Sequence, residues 1–182
     1  MSNKTTPRAA TFVAAFEDLG VTHVIGLPDN TSAALFDLLA SHAAIACLTV
    51  TREGEAFAIA SGLWLGGKRP VVVIQNTGLL ESGDSLRGTA IRMAVPLLCL
   101  VTYRGFAKMT ATGGGPPIAD GNRLIRHDFD SVALVTEPTL EAWGVPHRLL
   151  DVGDHRVCVG DAWEQAHRES RPVALLITQA MV

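Results

Sequence analysis

The chain has 182 residues, of which 48% are hydrophobic and 18% charged, and its formal net charge is −3. This length suits one domain with a sizeable core, and we expect residues 1–182 to form a single domain. Charged residues interrupt every apolar run short of the roughly 18 residues that a membrane span needs, and no basic run exceeds two residues. These features argue against a membrane protein and against nucleic acid as a partner.

The first quarter of the chain has the pattern of two helices separated by an extended run. The first helix is predicted to open at Pro7, because proline lacks an N–H and suits the first helical position. Asp29, Asn30 and Thr31 are candidate caps for a second helix that runs to about His42. The residues expected to face inward from the first helix are Ala10, Val13, Ala14 and Leu19.

The remainder of the chain continues this alternation. Further helices are predicted after Thr51, over Leu80–Met93 and over Arg156–Ser170. Strand–helix alternation with nearly continuous apolar strands predicts a doubly wound α/β fold, with a mostly parallel sheet of about six strands and helices on both faces. The six extended runs are His23–Leu27, Ile45–Val50, Val71–Gln75, Leu97–Thr102, His147–Val152 and Val173–Thr178.

One irregular stretch, Arg104–Asn122, contains the sequence GGGPP at Gly113–Pro117. A stretch of this length is either a flexible connection or a functional, partner-ordered loop, and the sequence leaves both open. Ligands of open α/β sheets bind at the carboxyl ends of the strands. The segments predicted there are Gly26–Asn30, Thr51–Glu55, Gln75–Asp84 and Tyr103–Lys108.

Two acidic residues, Glu53 and Glu55, lie where a strand gives way to a helix. An acid in a first helical turn commonly stabilises the positive helix end, which accounts for Glu55 and, taken alone, for Glu53 as well. The helix that follows is rich in small residues, so another backbone can approach it closely. These residues are Ala56, Ala58, Ala60, Ser61 and Gly62.

The run TREGEAFAIASGLWLGGKRPVVVIQNTGL resembles the pyrimidine-domain signature of thiamine-diphosphate-dependent enzymes. It is most similar to that of sulfopyruvate decarboxylase alpha subunits and phosphonopyruvate decarboxylases. The counterparts of their motifs are Thr51–Glu53, the helix to Gly62, and Gln75–Leu79. The resemblance weakens between about residues 106 and 140. It extends to GLPDN at Gly26–Asn30, VPLLCLVTYRG at Val95–Gly105 and RPVALLI at Arg171–Ile177.

The resemblance implies a role for each matching residue. Glu53 would be the catalytic carboxylate that hydrogen-bonds N1′ of the aminopyrimidine, so that the cofactor's exocyclic nitrogen can take the C2 proton. Glu55 would be structural. Gln75, Asn76 and Gly78 would contact the cofactor, although an ordinary strand-to-helix turn also explains them.

Three further residues are predicted to bind the substrate, a 2-oxo acid. Asp29 and Asn30 would lie over the reacting carbon, although helix capping explains them equally well, and Arg104 would contact the substrate from the end of another strand. The alternative activities are carboligation of the acetolactate-synthase type and a non-catalytic binding or regulatory module. Retention of Glu53 argues against the non-catalytic module.

The Gly-Asp-Gly motif with which these enzymes hold Mg²⁺ and the diphosphate is not matched. Gly153–His155 and Gly160–Ala162 are the nearest sequences, and neither is followed by a suitable Asn. The six histidines show no metal-ligand spacing, so no metal ligand is predicted in this chain. We therefore expect thiamine diphosphate and Mg²⁺ to need a diphosphate-binding beta subunit. With a second alpha copy this gives an α2β2 or larger assembly, and the chain alone should be inactive.

Two differences from the family's motif affect the charge that is expected of the substrate. Glu81 and Asp84 replace neutral amides at the mouth of the predicted site, where they would repel a sulfonate or phosphonate. A less charged 2-oxo acid is then expected, unless nearby cations offset them; the candidates are Arg52, Arg87, Arg104 and Lys108.

The three cysteines are widely separated and lack CxxC spacing, and the start of the chain has no apolar signal core. Cys47 and Cys99 lie in apolar runs and are expected to be inert core residues. These features suggest a cytoplasmic protein.

Overall fold

The computed structural model describes residues 6–112, 117, 120–128, 130–150 and 153–182. Parts of two predicted segments, Gly113–Pro117 and His147–Val152, lie outside them, at residues 113–116 and 151–152. The strands are β1 (His23–Gly26), β2 (Ala46–Thr49), β3 (Pro70–Gln75), β4 (Leu98–Thr102), β5 (His147–Leu150) and β6 (Val173–Ile177). The helices are α1 (Ala9–Asp18), α2 (Ala33–Ala40), α3 (Glu53–Leu65), α4 (Asn76–Glu81), α5 (Gly83–Ser85), a π-helix (Leu86–Ile91), α6 (Phe106–Ala111), α7 (Gly121–Leu124), α8 (Val132–Ala142) and α9 (His155–Glu169).

The six strands form one sheet in the order β2-β1-β3-β4-β6-β5, and every pairing is parallel. Alternate residues of each strand point to opposite faces, where two apolar clusters cover the sheet. Val72 and Ile74 pack with α3 and α8 on one face, whereas Val71 and Val73 pack with α1, α2 and α9 on the other. The prediction of a doubly wound sheet is confirmed. No helix in the described ranges is long and apolar enough to cross a bilayer.

The predicted strands agree with the observed ones to within about two residues at each end. The predicted inward face of α1 was partly right. Val13 and Leu19 are partly buried against the core, whereas Ala10 is exposed. The fully buried residues are Ala9, Phe12, Ala15 and Phe16, so the centre of the buried face is displaced by about one residue. Burial of two phenylalanines removes far more apolar surface from water than burial of the alanines that were predicted to face inward.

Two other helical regions differ from prediction. The helix predicted from Leu80 begins earlier, at Asn76, and its last segment, Leu86–Ile91, is π-helical. Within the predicted irregular stretch, Phe106–Ala111 forms α6, and α8 was not predicted. Pro138 lies inside α8 and obscures its helical pattern in the sequence.

The order of the strands creates a switch point between β1 and β3. The chain leaves β1 for β2 on one side of the sheet, whereas it leaves β3 for β4 on the other. The two connections therefore diverge and open a crevice at the carboxyl ends of these strands, which is where ligands bind in this class of fold.

Candidate active site

A groove of about 430 Å³ lies at this switch point. Three of its residues follow β1, one ends β3 and one follows β4. The three residues predicted to bind substrate thus lie together with one of those predicted to bind cofactor. The lining residues are Asp29, Asn30, Thr31, Gln75 and Arg104.

Asp29 is held by hydrogen bonds on both carboxylate oxygens. Its Oδ1 accepts from the N–H and hydroxyl of Ser32, at 2.8 and 2.7 Å, and so helps to cap α2. Its Oδ2 accepts from Gln75 Nε2 at 2.8 Å and from Thr102 Oγ1 at 2.6 Å. Burial alone would raise the pKa of Asp29, but the hydrogen bonds from Thr102, Ser32 and Gln75 outweigh it and lower the pKa. Asp29 therefore remains ionised at neutral pH while it ties β1, β3 and β4 together.

Asn76 lies beneath the groove and is fully buried. Its Oδ1 accepts from the N–H of Arg104, and its Nδ2 donates to the carbonyl of Arg104 and to Thr136 Oγ1. These bonds use both donors of the amide and hold the backbone of Arg104 at the end of β4. The Asn76 side chain thus contacts protein groups only and positions Arg104, instead of facing the groove as the predicted cofactor contact would.

Arg104 carries the positive charge of the groove. Its Nε lies 2.9 Å from Oδ2 of Asp130, and its side chain is 59% exposed. The next residue, Gly105, has a φ of +84°, and a Cβ there would lie 3.1 Å from both Asp130 and Ala133. A glycine is therefore needed for the turn that brings Arg104 against Asp130.

Glu53 is the first residue of α3 and is partly buried. A Cβ on Gly78 would lie 2.2 Å from Glu53 Cδ and Oε1, so the carboxylate lies directly against the Gly78 backbone. No hydrogen bond to this carboxylate is made by any residue in the described part of the chain. Glu53 thus presents an unpaired carboxylate in a space that only a glycine leaves open.

The other acid of this turn, Glu55, is bonded locally. Its Oε2 accepts from the N–H groups of Thr51 and Arg52, at 3.1 and 3.4 Å. These backbone hydrogen bonds lower the pKa of Glu55. Glu55 therefore closes a capping interaction at the start of α3, as expected for a structural residue.

Glu81 also stabilises the start of α3. Its Oε1 accepts from Arg52 Nε at 3.0 Å, and its Oε2 accepts from the N–H of Gly54 at 3.2 Å. The hydrogen bond from Arg52 lowers the pKa of Glu81. Glu81 and Asp84 both line a second groove of about 410 Å³ beside α3. Asp84 is paired with Arg87, whose Nη2 lies 2.6 Å away.

The predicted residues therefore occupy two neighbouring places. Asp29, Asn30, Gln75 and Arg104 line the switch-point groove, whereas Glu53 packs on Gly78 and lines neither groove. Sequence reasoning missed their supporting partners, which are Ser32, Thr102, Asp130 and Thr136.

The Gly-Asp sequences near the end of the chain are structural. Asp154 caps α9 by accepting the N–H of Arg156 at 2.8 Å, and Gly160-Asp161 lies inside the same helix. Within the described ranges, no three His, Cys, Asp or Glu side chains are grouped so as to hold a metal ion. Cys99 is buried as expected, and burial raises the pKa of its thiol to about 12, while Cys47 is only partly buried on the edge strand β2.

Comparison with known proteins identifies the class. Residues 8–122 match the family model of the thiamine pyrophosphate enzyme, N-terminal TPP binding domain. The fold is similar to that of a candidate thiamin diphosphate-dependent enzyme from Mycobacterium smegmatis, known from an X-ray structure. The TM-score is 0.68 and the sequence identity 18%, and the match covers 97% of this chain and 32% of that one. The chain belongs to the thiamine pyrophosphate enzyme family, and the part of the family that it matches is the N-terminal TPP-binding domain.

Two curated relatives refine this placement. A phosphonopyruvate decarboxylase of Streptomyces viridochromogenes is 39% identical over 97 residues, which are 53% of this chain and 24% of that protein. A sulfopyruvate decarboxylase subunit alpha of Methanothermobacter thermautotrophicus is 28% identical over 92 residues, which are 50% of this chain and 56% of that protein. The matched region thus spans about a quarter to a half of the relatives' length.

Proposed function

We propose that the chain is the pyrimidine-binding alpha subunit of a thiamine-diphosphate-dependent decarboxylase of 2-oxo acids, in which Glu53 activates the cofactor. The single observation that carries this proposal is the partly buried Glu53 carboxylate, which lies against Gly78 and has no hydrogen-bond partner among the described residues. An acid that served only to stabilise the helix end would resemble Glu55, whose carboxylate is bonded to the backbone.

The residues around Glu53 fit the pyrimidine half of the cofactor. Bound thiamine diphosphate supplies the electron sink for the loss of CO₂. Glu53 would hydrogen-bond N1′ and hold a proton there, while Gly78 keeps the space beside the carboxylate open. Gln75 ends β3 next to the groove and would contact the ring or the substrate. Asn76 would act indirectly, by fixing the backbone of Arg104.

The switch-point groove would hold the 2-oxo acid. Arg104 would bind an anionic group of the substrate, and Asn30 would contact it from the opposite side of the groove. Asp29, whose carboxylate is ionised and bonded by four residues, would orient Gln75 instead of exchanging a proton.

A second negative charge on the substrate is compatible with this arrangement. Glu81 is bonded to Arg52 and Asp84 to Arg87, so two of the cations considered from the sequence do offset these carboxylates. A sulfonate or phosphonate substrate is therefore proposed on the same footing as a less charged one, in keeping with the names of the curated relatives.

A beta subunit would supply the Mg²⁺ and diphosphate site. Support comes from the relative named subunit alpha and from the exposed outer face of α3, where Ile59 is 39% and Leu65 63% exposed. Ala58 and Gly62 lie on the same face, and a Cβ at Gly62 would meet nothing within 4 Å. An apolar face with small residues suits close packing against another chain. The proposed assembly is α2β2 or larger.

The decisive experiment compares Glu53→Gln with Glu55→Gln in the complex with the beta subunit. Glutamine keeps the size and hydrogen-bonding ability of Glu53 but is a far weaker partner for a protonated N1′. We expect exchange of the cofactor's C2 proton with deuterium, followed by NMR after acid quench, to slow by roughly 10²-fold or more in Glu53→Gln. The Glu55→Gln control changes the same helix end and should exchange at the wild-type rate. Wild-type exchange in both variants would refute the role of Glu53, and equal slowing in both would assign the effect to the helix start.

A second experiment tests whether binding of thiamine diphosphate and Mg²⁺ requires the beta subunit. Calorimetry of thiamine diphosphate and Mg²⁺ should show tight binding to the complex and weak binding to this chain alone. Tight, Mg²⁺-dependent binding by the lone chain would contradict the need for a diphosphate-binding partner.

A further inference from the structure

A third groove lies at the amino ends of the strands, far from the candidate active site. It encloses about 240 Å³ beside the first residue of β3 and the segment before β4. Pro70 and Gln75 mark the two ends of β3, which are about 17 Å apart at the usual rise of a strand. The lining residues are Trp64, Gly67, Lys68, Arg69, Pro70, Pro96, Trp163 and His167.

The groove is rich in hydrogen-bond donors and contains no carboxylate. Lysine, arginine and tryptophan side chains donate hydrogen bonds and cannot accept them. The fifth polar side chain, His167, has its Nδ1 at 2.9 Å from the carbonyl of Trp163, so this nitrogen carries a proton. Apart from Nε2 of His167, these side chains offer only donors, so the groove favours a ligand rich in acceptors.

Two cations of the groove lack acidic partners. In the described part of the chain, neither Lys68 nor Arg69 forms an ion pair with a carboxylate. Arg69 donates from Nε to the carbonyl of Leu19 at 2.9 Å, and its guanidinium lies 5.0 Å from the ring centre of Trp163. These contacts fix the guanidinium but leave its charge uncompensated. Burial, and after it the charge of Lys68, lower the pKa of nearby His23, as expected where positive charge is not neutralised.

The aromatic side chains supply a stacking surface and a further donor. Trp64 is partly exposed, so its indole is accessible to a flat ring. Trp163 is only 4% exposed, but its indole N–H is not sealed from solvent and has no acceptor among the residues described, so it is available to a ligand in the groove.

From these features we infer that the groove binds a small planar ring that carries a phosphate group, the chemistry shared by nucleotides and aryl phosphates. The ring would stack on Trp64, and the phosphate would lie between Lys68 and Arg69. A dianionic phosphate matches two uncompensated cations better than a single carboxylate does. The site is separate from the switch-point groove and does not depend on the proposed decarboxylase function.

The test is calorimetric titration of the full chain with phenyl phosphate and with adenosine monophosphate, with adenosine and inorganic phosphate as controls. At least one of the two ring phosphates should bind saturably below about 1 mM, and more tightly than either control. Tighter binding of adenosine monophosphate would indicate a nucleotide as the natural ligand, and tighter binding of phenyl phosphate a simpler aryl phosphate. Two of the three tryptophans line the groove, so quenching of intrinsic fluorescence should follow the same curve.

Matched variants locate the site. Lys68→Ala should weaken binding roughly tenfold, the loss expected for one charge-assisted contact. Lys68 is exposed and makes no side-chain hydrogen bond, so this variant should remain folded, which circular dichroism would verify. Arg168→Ala removes an exposed cation from the adjacent position of α9 outside the groove and should bind normally. The inference is overturned if neither ring phosphate binds, if adenosine binds as tightly, or if Lys68→Ala binds like the wild type.

Discussion

Polar groups are arranged differently at the two edges of the sheet that are formed by the carboxyl ends and by the amino ends of the strands. At the carboxyl edge, acids and donors satisfy one another, as Asp29 does with Gln75 and Thr102 and as Asn76 does with Arg104. At the amino edge, the groove beside Trp163 collects donors and cations without a single acid.

This difference indicates where ligands are expected. A folded chain normally pairs its buried and partly buried polar groups, so unpaired ones mark places where another molecule completes the structure. At the carboxyl edge, Glu53 is a carboxylate without a hydrogen-bond partner in the described part of the chain, which suits a ligand that donates. The amino edge has unpaired donors and suits a ligand that accepts.

The largest effect is expected from Gly78→Ala. The added methyl would lie 2.2 Å from the Glu53 carboxylate, so the carboxylate must move by an ångström or more. Displacement of a proposed catalytic group by this distance should lower kcat of the complex by roughly 10²-fold. The measurement is steady-state decarboxylation, with Gly88→Ala as the control, because a Cβ there meets nothing within 4 Å. Equal activity of Gly78→Ala and the wild type would show that the position of Glu53 is immaterial.

A large effect on stability is expected from Asn76→Ala. The substitution removes three hydrogen bonds from a buried site, two with the backbone of Arg104 and one to Thr136 Oγ1, which still donates to the carbonyl of Val132. Loss of these hydrogen bonds should lower the free energy of unfolding by about 2–4 kcal/mol. Urea denaturation measures this, and Asn30→Ala, at an exposed position that lines the groove, should change the free energy by less than about 0.5 kcal/mol. Similar losses in both variants would mean that the Asn76 bonds contribute little.

The sequence predicted which residues lie at the carboxyl edge better than it predicted which residues they contact there. Asp29, Gln75 and Arg104 were placed correctly in one region, because the ends of parallel strands meet at one edge. Thr102 and Thr136 could not be assigned to Asp29 and Asn76 in this way. Those contacts depend on the order of the strands and on the return of α8 across the sheet, which local periodicity does not encode.

The buried face of α1 and the ion pair of Glu81 show the same limit of prediction from the sequence. The centre of the inward face of α1 was misjudged, although Val13 and Leu19 do pack against the core, because small and large apolar residues were weighted alike, whereas Phe12 and Phe16 decide the burial. Glu81 was expected at the mouth of the site. It bonds Arg52 and Gly54, which are 29 and 27 residues away in the chain. Such a pairing requires the tertiary arrangement of α3 and α4.

A moderate effect on substrate affinity is expected from Asp130→Asn. Asp130 holds Arg104 at 2.9 Å and therefore competes with a substrate anion for the same guanidinium. Removal of its charge should lower KM for a 2-oxo acid with a second anionic group by roughly three- to tenfold. Pyruvate kinetics provide the comparison, since a substrate without the second anion should gain less. Equal gains for both substrates would place the second anion elsewhere.

The smallest effect concerns the pH dependence of stability, in which the two edges should respond in opposite directions. At the carboxyl edge, the lowered pKa of Asp29 contributes stability that is present above its ordinary value of 3.8 and is lost as the pH falls through the lowered value. At the amino end of β5, the side-chain interaction with Glu137 raises the pKa of His147 above 6.5. Its stabilisation is therefore complete below pH 6.5 and is lost as the pH rises through the raised pKa.

The variant His147→Gln tests whether the stabilisation by His147 falls as the pH rises. The pair is partly exposed and its charged atoms are 3.8 Å apart, so the variant should be less stable than the wild type by about 0.3–1 kcal/mol near pH 5.5. The difference should shrink as the pH rises towards 8.5, because the wild-type histidine then loses its proton and its attraction to Glu137. Urea midpoints at several pH values measure this difference, and His127→Gln, at an exposed position, serves as the control. A difference that grows with pH would mean that neutral His147 stabilises the fold through its packing, and the ion pair with Glu137 would then have no part in stability.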